Sequence, residues 1–406
     1  MTAILLDDPD HRAFLAQDAR RSLDLFDASP RAAGGFHGLD PTGRALASDI
    51  QELHSTTRLV HSYALAQLAG RPDRAGIIDQ GMAFLWNGHR DRDRGGYLWS
   101  VDGKGAADGT KLAYGHVFVL LAASSAKMVG HPDADRLLSD ITEVLDRHFW
   151  DAKAGLFRDE FTRDWQVFST YRGMNANMHG VEALLAAHEA TGKGEFLSRA
   201  GGILRFFIAG QAAENGWRIP EHYDADWRPD HGYSGNPMFR PAGTTPGHSF
   251  EMARLLLQWW DLAGRPEGDS VAQATALVRT GLADAWNDDL GGLAYTLGRD
   301  GRVDNPARYW WPVTEAIGAL AALLKLDPKP EFDDWYRRLW QFAATHMVDA
   351  HHGGWHHEVG PDNLPLMTQF QGKPDIYHAL QADLLPLARG LSRQGDDLAR
   401  QRPFAD

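Results

Sequence analysis

The sequence predicts an all-α protein, an (α/α)6 barrel in which six inner and six outer helices form a toroid with short β-hairpins and long loops at its mouth. Two observations predict it. A glycine-bearing turn recurs six times along the 406 residues. Between successive turns the chain reads as a pair of Ala- and Leu-rich segments with helical periodicity.

The turns are Gly34-Gly35-Phe36, Gly95-Gly96-Tyr97, Ala154-Gly155-Leu156, Asn215-Gly216-Trp217, Gly291-Gly292-Leu293 and Gly353-Gly354-Trp355. Their spacing is roughly 60 residues, with one longer interval. Trp286 to Gly301, WNDDLGGLAYTLGRDG, alternates apolar residues around the turn and reads as a short hairpin. Its glycines suit backbone with positive φ. Helical pairs follow, such as Gly180–Thr191 with Glu195–Ala209 and His248–Ala263 with Val271–Trp286. Breaks such as Gly130-His131-Pro132-Asp133 separate the members of a pair. Adding an N-terminal helix gives about twelve helices. The helix after each hairpin carries the smaller and more varied residues, which assigns it to the inner ring. An open solenoid would also stack such pairs. Long hairpins in every repeat, and Tyr, Trp and His at inner-helix starts, favour one closed domain over residues 1–406.

Composition removes several functions. The net charge of −13 is spread along the chain without a basic stripe, which argues against nucleic acid and anionic lipid as partners. The absence of cysteine excludes disulfides, thiolate metal sites and cysteine nucleophiles. No apolar run is long enough to span a membrane. Met1–Asp10 does not read as a signal peptide, so a cytoplasmic location is expected. The sequence allows a homo-oligomer without specifying one.

Unusual polar residues gather in the first turns of the six presumed inner helices. They are His54 and Arg58; Tyr114 and His116; Asn175, Asn177 and His179; His248 and Glu251; Arg308, Trp310, Trp311 and Glu315; and Asp375, Tyr377 and His378. Helices that start from one end of a barrel bring these groups to one mouth, where a packed core would place aliphatic residues. Thr245-Pro246 reads as a helix cap followed by Pro at the first helical position, so His248 falls in the first turn. Glu251, three residues on, shares its face and is expected to orient the imidazole for general base work.

Other chemistries fare worse. The run His351-His352-Gly353-Gly354-Trp355-His356-His357-Glu358 lacks the spacing of a helical zinc site, so no metal is expected. Phosphate-binding glycine loops and Gly-x-Ser-x-Gly elbows are missing. Glycoside hydrolysis, with Glu182, Glu251 and Glu315 as candidate acids, is the alternative on a barrel of this shape. A sugar-binding protein without turnover is another.

Four segments, YRGMNANMHGVEA (Tyr171–Ala183), GTTPGHSFE (Gly243–Glu251), WWPVTEA (Trp310–Ala316) and GKPDIYHAL (Gly372–Leu380), resemble the N-acylglucosamine 2-epimerase superfamily. Within it, they are most similar to isomerases of mannose and sulfoquinovose. The resemblance implies cofactor-free aldose–ketose isomerisation of a monosaccharide through a cis-enediol, or 2-epimerisation by the same machinery. It assigns acid/base roles to His248 and His378, with Glu251 as carboxylate partner of the first. It places Arg58, Asn175, His179 and Arg240 on sugar hydroxyls or the enediolate, and Tyr114 and Trp311 in the pocket wall. Asp375, in the last motif, joins the substrate-binding set. Family members often carry an aromatic residue where this chain has His54. Sulfoquinovose isomerases have glutamine where Pro374 stands, which favours an unmodified hexose, D-mannose, with D-fructose as its ketose.

Overall fold

The computed structural model describes residues 4–71 and 75–405. Its helices follow the repeat. The inner ring consists of α2 (Leu53–Leu68), α4 (Ala113–Met128), α6 (Met174–Thr191), α8 (Pro246–Leu262), α10 (Trp310–Leu326) and α12 (Ile376–Leu387). The outer ring consists of α1 (Pro9–Phe26), α3 (Ala75–Phe84), α5 (Ala134–Val144), α7 (Gly194–Leu204), α9 (Ser270–Ala285) and α11 (Pro330–Phe342). A further short helix, α13 (Gln394–Gln401), lies beyond the ring pattern. Each inner helix packs against its two inner neighbours, and α12 returns to α2. The N-terminal α1 supplies the outer partner of α12, so the two ends of the chain meet in the same repeat.

The division into rings follows burial. Inner helices are enclosed on nearly every side; in α10, fourteen residues from Trp310 to Leu324 are buried. Outer helices bury one stripe, as in α5 with Ala134, Leu137, Leu138 and Ile141. The small residues of the inner helices let neighbours approach. Gly318 of α10, for example, leaves space for Leu385 and Arg254 that a Cβ would fill.

The glycine turns adopt positive φ in all six copies, from Gly34 and Gly35 to Gly353 and Gly354. Several outer helices widen into a π turn just before them, at 85–89, 145–149, 205–212 and 343–347. After each turn the chain runs extended and receives a hydrogen bond from the start of the preceding inner helix. Leu53 donates its N–H to Trp99 O (2.8 Å), Ala113 to Asp159 O (2.7 Å) and Met174 to Glu221 O (3.0 Å). Thr244 donates to Leu297 O (2.8 Å) and Trp310 to His357 O (3.0 Å). The sixth bond, Lys373 N–H to Leu39 O at 2.8 Å, joins the last repeat to the first. This relay closes the toroid and rules out the open solenoid. It also fixes a second set of side chains at the mouth, on the extended segments between the turns and the inner helices.

Candidate active site

His248 lies in the first turn of α8, after Pro246 and Gly247. Helical side chains lean toward the N-terminus, so its ring reaches past the helix start. There its Nδ1 meets Glu221, at 3.0 Å from Oε1 and 2.9 Å from Oε2. Glu221 is buried and also accepts the N–H of Thr245 at 3.1 Å. The expected pairing of His248 with Glu251 is therefore corrected. Glu251 sits one turn deeper and points to the barrel axis, where its Oε1 lies 3.4 Å from His179 Nδ1 and 3.6 Å from Arg254 Nη2. Thr245 occupies the cap position, but its hydroxyl makes no capping bond; the Glu221 carboxylate holds its amide instead.

His378 follows Asp375, whose side chain caps α12 by accepting the Tyr377 N–H at 3.1 Å. Its Nδ1 lies 2.8 Å from Glu315 Oε1. Glu315 Oε2 in turn accepts from Arg254 Nη2 at 3.1 Å. Both histidines thus have Nδ1 tied to a buried carboxylate. An Nδ1–H donor leaves the Nε2 lone pair as the basic site. Trp311 lies between the two imidazoles, 5.0 Å from the centroid of His248 and 6.1 Å from that of His378. Gly247 makes room for it: a Cβ there would stand 2.3 Å from Trp311 Cζ3.

Arg58 of α2 donates to Asp375 Oδ2 (2.8 Å) and to Tyr114 Oη (2.8 Å). Its guanidinium is flanked by Phe118 and Tyr377, with centroids 4.6 and 4.7 Å away. Burial works to raise the Asp375 carboxyl, yet the Arg58 cation overrides it and holds the group at about 2. Tyr114 meets His179 edge to face at 5.2 Å. His54 stacks on Trp99 at 5.1 Å and 10°, and burial with the nearby Arg58 charge lowers it to about 3, so it is neutral. The carbonyl oxygen of Asn175 and Nδ1 of His179 are buried without a hydrogen-bond partner among the described residues.

Beneath these groups lies a carboxylate network. Glu182 accepts from Tyr377 Oη and, at 3.0 Å, from Gln381 Nε2. Burial opposes ionisation of Glu182 and Glu315, but the nearby His179 ring and the charge of Arg254 hold Glu182 low, and Arg254 with His378 holds Glu315 low. Burial, with Glu315 close by, pushes Glu251 well above the usual carboxylate range, so it carries its proton. His179 is lowered to about 4 by burial.

Among the described residues, His179, Glu182 and Glu251 bring possible metal-ligand atoms within 4.8 Å of one another. Arg254 stands 3.6 Å from Glu251, and both Glu182 oxygens already accept hydrogen bonds, so the geometry suits a proton network better than a cation. The histidine-rich turn is dispersed: His352 pairs with Asp349 at 3.2 Å, while His357 bonds Gly372 O at 2.9 Å and stacks on Phe370.

Of the residues singled out in the sequence, His248, His378, Arg58, Tyr114, His179, Trp311 and Asp375 are joined by these contacts. Arg240 is set at the rim, held by Glu160 at 2.6 Å and lying over the Tyr171 ring at 4.1 Å. Asn177 is structural: its amide bonds the backbone of Phe157 and Gly173. Glu221 and Arg254 were missed. Glu221 lies outside the inner helices, and the one mark it carries in the sequence is its place shortly after the fourth turn, five residues beyond Gly216.

The model of the N-acylglucosamine 2-epimerase (GlcNAc 2-epimerase) family matches residues 34–382. The chain belongs to this family. It is 38% identical over 389 residues to a D-mannose isomerase of Pseudomonas cannabina pv. alisalensis, covering 93% of each chain. It is 39% identical to a D-mannose isomerase of Thermobifida fusca, covering 93% of this chain and 94% of that one. A crystal structure of D-mannose isomerase superposes with a TM-score of 0.88 at 31% identity, covering 92% of this chain and 97% of the other. A cellobiose 2-epimerase from Spirochaeta thermophila shares the fold, with a TM-score of 0.81 at 21% identity and coverage of 95% and 97%. No described helix is long and apolar enough to cross a membrane.

Proposed function

We propose that the protein is a metal-independent aldose–ketose isomerase that interconverts D-mannose and D-fructose. The observation that carries this reading is the pair of histidines on either side of Trp311, each with Nδ1 held by a buried carboxylate and Nε2 left as a base. The likeness to two D-mannose isomerases over nearly the whole chain supports the choice of sugar.

The pyranose opens with proton transfer assisted by His248, whose carboxylate partner is Glu221. His378 Nε2 takes the proton from C2. The C2–H electron pair forms the C1=C2 bond and O1 gains a proton, giving the cis-enediol. The same nitrogen returns a proton to C1, O2 loses its proton, and C2 becomes the ketone. Arg58 and His179 stabilise charge on the oxygens of this intermediate. Two bases of this kind suit proton transfer at carbon. Glycoside hydrolysis is less well served, because Glu182, Glu251 and Glu315 are buried together around Arg254 instead of flanking a cleft.

The test is proton NMR of EDTA-treated protein with D-mannose in deuterated water. Fructose carrying deuterium at C1 is the expected result, with deuterium entering C2 of mannose on the return reaction. Glucose without fructose would make the protein a 2-epimerase, and an unchanged spectrum would overturn the assignment to mannose.

A further inference from the structure

Glu221 stands on the extended segment after the fourth glycine turn, and the following residues, His222–Tyr223, pair antiparallel with Arg172–Gly173. Its carbonyl accepts the N–H of Met174 in the ring-closing relay, which anchors its backbone to α6. Its side chain turns to the neighbouring repeat and holds both the amide that starts α8 and the ring of His248. The carboxylate is 4% exposed, and among the described residues no Arg or Lys shares it. Its counterpart, Glu315, divides its charge between His378 and Arg254.

We infer that Glu221 is the positioning residue of His248: its carboxylate fixes the Nδ1–H tautomer and so leaves the Nε2 lone pair as the basic site. This deepens the isomerase reading and rests on it for its kinetic consequence. When Nε2 takes a proton the ring becomes imidazolium, and an undivided buried carboxylate 2.9 Å away stabilises that charge without moving. Glutamine at this position would keep an oxygen for the Thr245 amide. Its NH2 would face Nδ1, however, and would favour the opposite tautomer, with the proton on Nε2. A change of this kind beside a catalytic histidine costs on the order of 10⁴ in kcat in the Ser-His-Asp case.

The experiment compares wild type, E221Q and E221D. Turnover of D-mannose is followed by NMR, folding by circular dichroism, and the His248 tautomer by 15N NMR of histidine-labelled protein without sugar. Expected for E221Q is a fall in kcat of about 10²–10⁴-fold, KM within about threefold, and the His248 signal of the Nε2–H tautomer. E221D, which keeps the charge on a shorter arm, should recover part of the lost kcat. An E221Q enzyme with kcat within about twofold of wild type, or with the His248 tautomer unchanged, overturns the inference. If wild type turns over no mannose, the isomerase reading falls, and the 15N comparison still decides whether Glu221 sets the tautomer.

Discussion

At the scale of single residues, His248 and His378 differ in what stands behind them, but the proposed isomerisation asks the same of both, a free ring nitrogen toward the sugar. Asparagine replaces the ring with a group that still hydrogen-bonds yet cannot shuttle a proton. H248N and H378N should each lose about 10²–10⁴ in kcat, with melting temperatures within a few degrees of wild type. Steady-state rates and thermal melts on the same samples check this; a variant retaining more than a tenth of wild-type kcat would remove that histidine from the chemistry. Both histidines were legible in the sequence because each begins an inner helix beside a recognisable break. Their partners were not. Helix spacing pairs His248 with Glu251, since residues three apart share a face. A first-turn side chain, however, leans out beyond the helix and finds whatever the next segment offers, here a glutamate 27 residues earlier. Local periodicity carries no record of such a contact.

At the scale of elements, the glycine turns were the clearest signal, and the reason is steric. Gly96 has φ of +67°, and a Cβ on it would stand 2.6 Å from Trp165 and 2.9 Å from Nε2 of His116. That nitrogen accepts the N–H of Tyr97 at 3.0 Å, so the turn is locked to the next inner helix. Gly95, with φ of +73°, has nothing within 4 Å of its would-be Cβ. The two alanine variants therefore separate backbone strain from crowding. G95A should cost about 1–2 kcal/mol, the penalty of a left-handed residue. G96A adds displacement of Trp165 and His116 and should cost about 1–3 kcal/mol more. Urea unfolding of both variants measures the difference; equal midpoints would mean that the neighbours yield freely. The extended segments that join repeats were beyond the reach of the sequence. Strands of two residues, such as Arg172–Gly173, are too short to show alternation, and their pairing is set by the ring as a whole.

At the scale of the whole molecule, closure depends on α1 docking against α12, and this seam contains two acids. Asp18 accepts hydrogen bonds from Trp355 Nε1 at 3.0 Å and from Arg21 at 2.9 Å. Asp383 is fully buried, and both its oxygens lack a partner among the described residues. Burial raises both carboxyls, Asp383 well above its ordinary value with the charge of Asp18 adding to the effect. An acid whose folded pKa is raised binds its proton more tightly when folded. The stability it contributes is full below the unfolded value, near 3.8, and is lost as pH rises toward the folded value. Asparagine at 383 keeps the neutral shape and cannot ionise. Wild type should therefore lose melting temperature between pH 5 and pH 9 more steeply than D383N, and D383N should be the more stable of the two at the alkaline end. Other buried acids, Glu251 and Asp159 among them, titrate in both proteins and cancel in the comparison. Parallel melting curves across that range would mean that Asp383 is already ionised in the folded protein at pH 5, which would overturn the raised carboxyl. A D383N protein less stable than wild type by the same margin at every pH would show that the ionised carboxylate helps hold the ring closed.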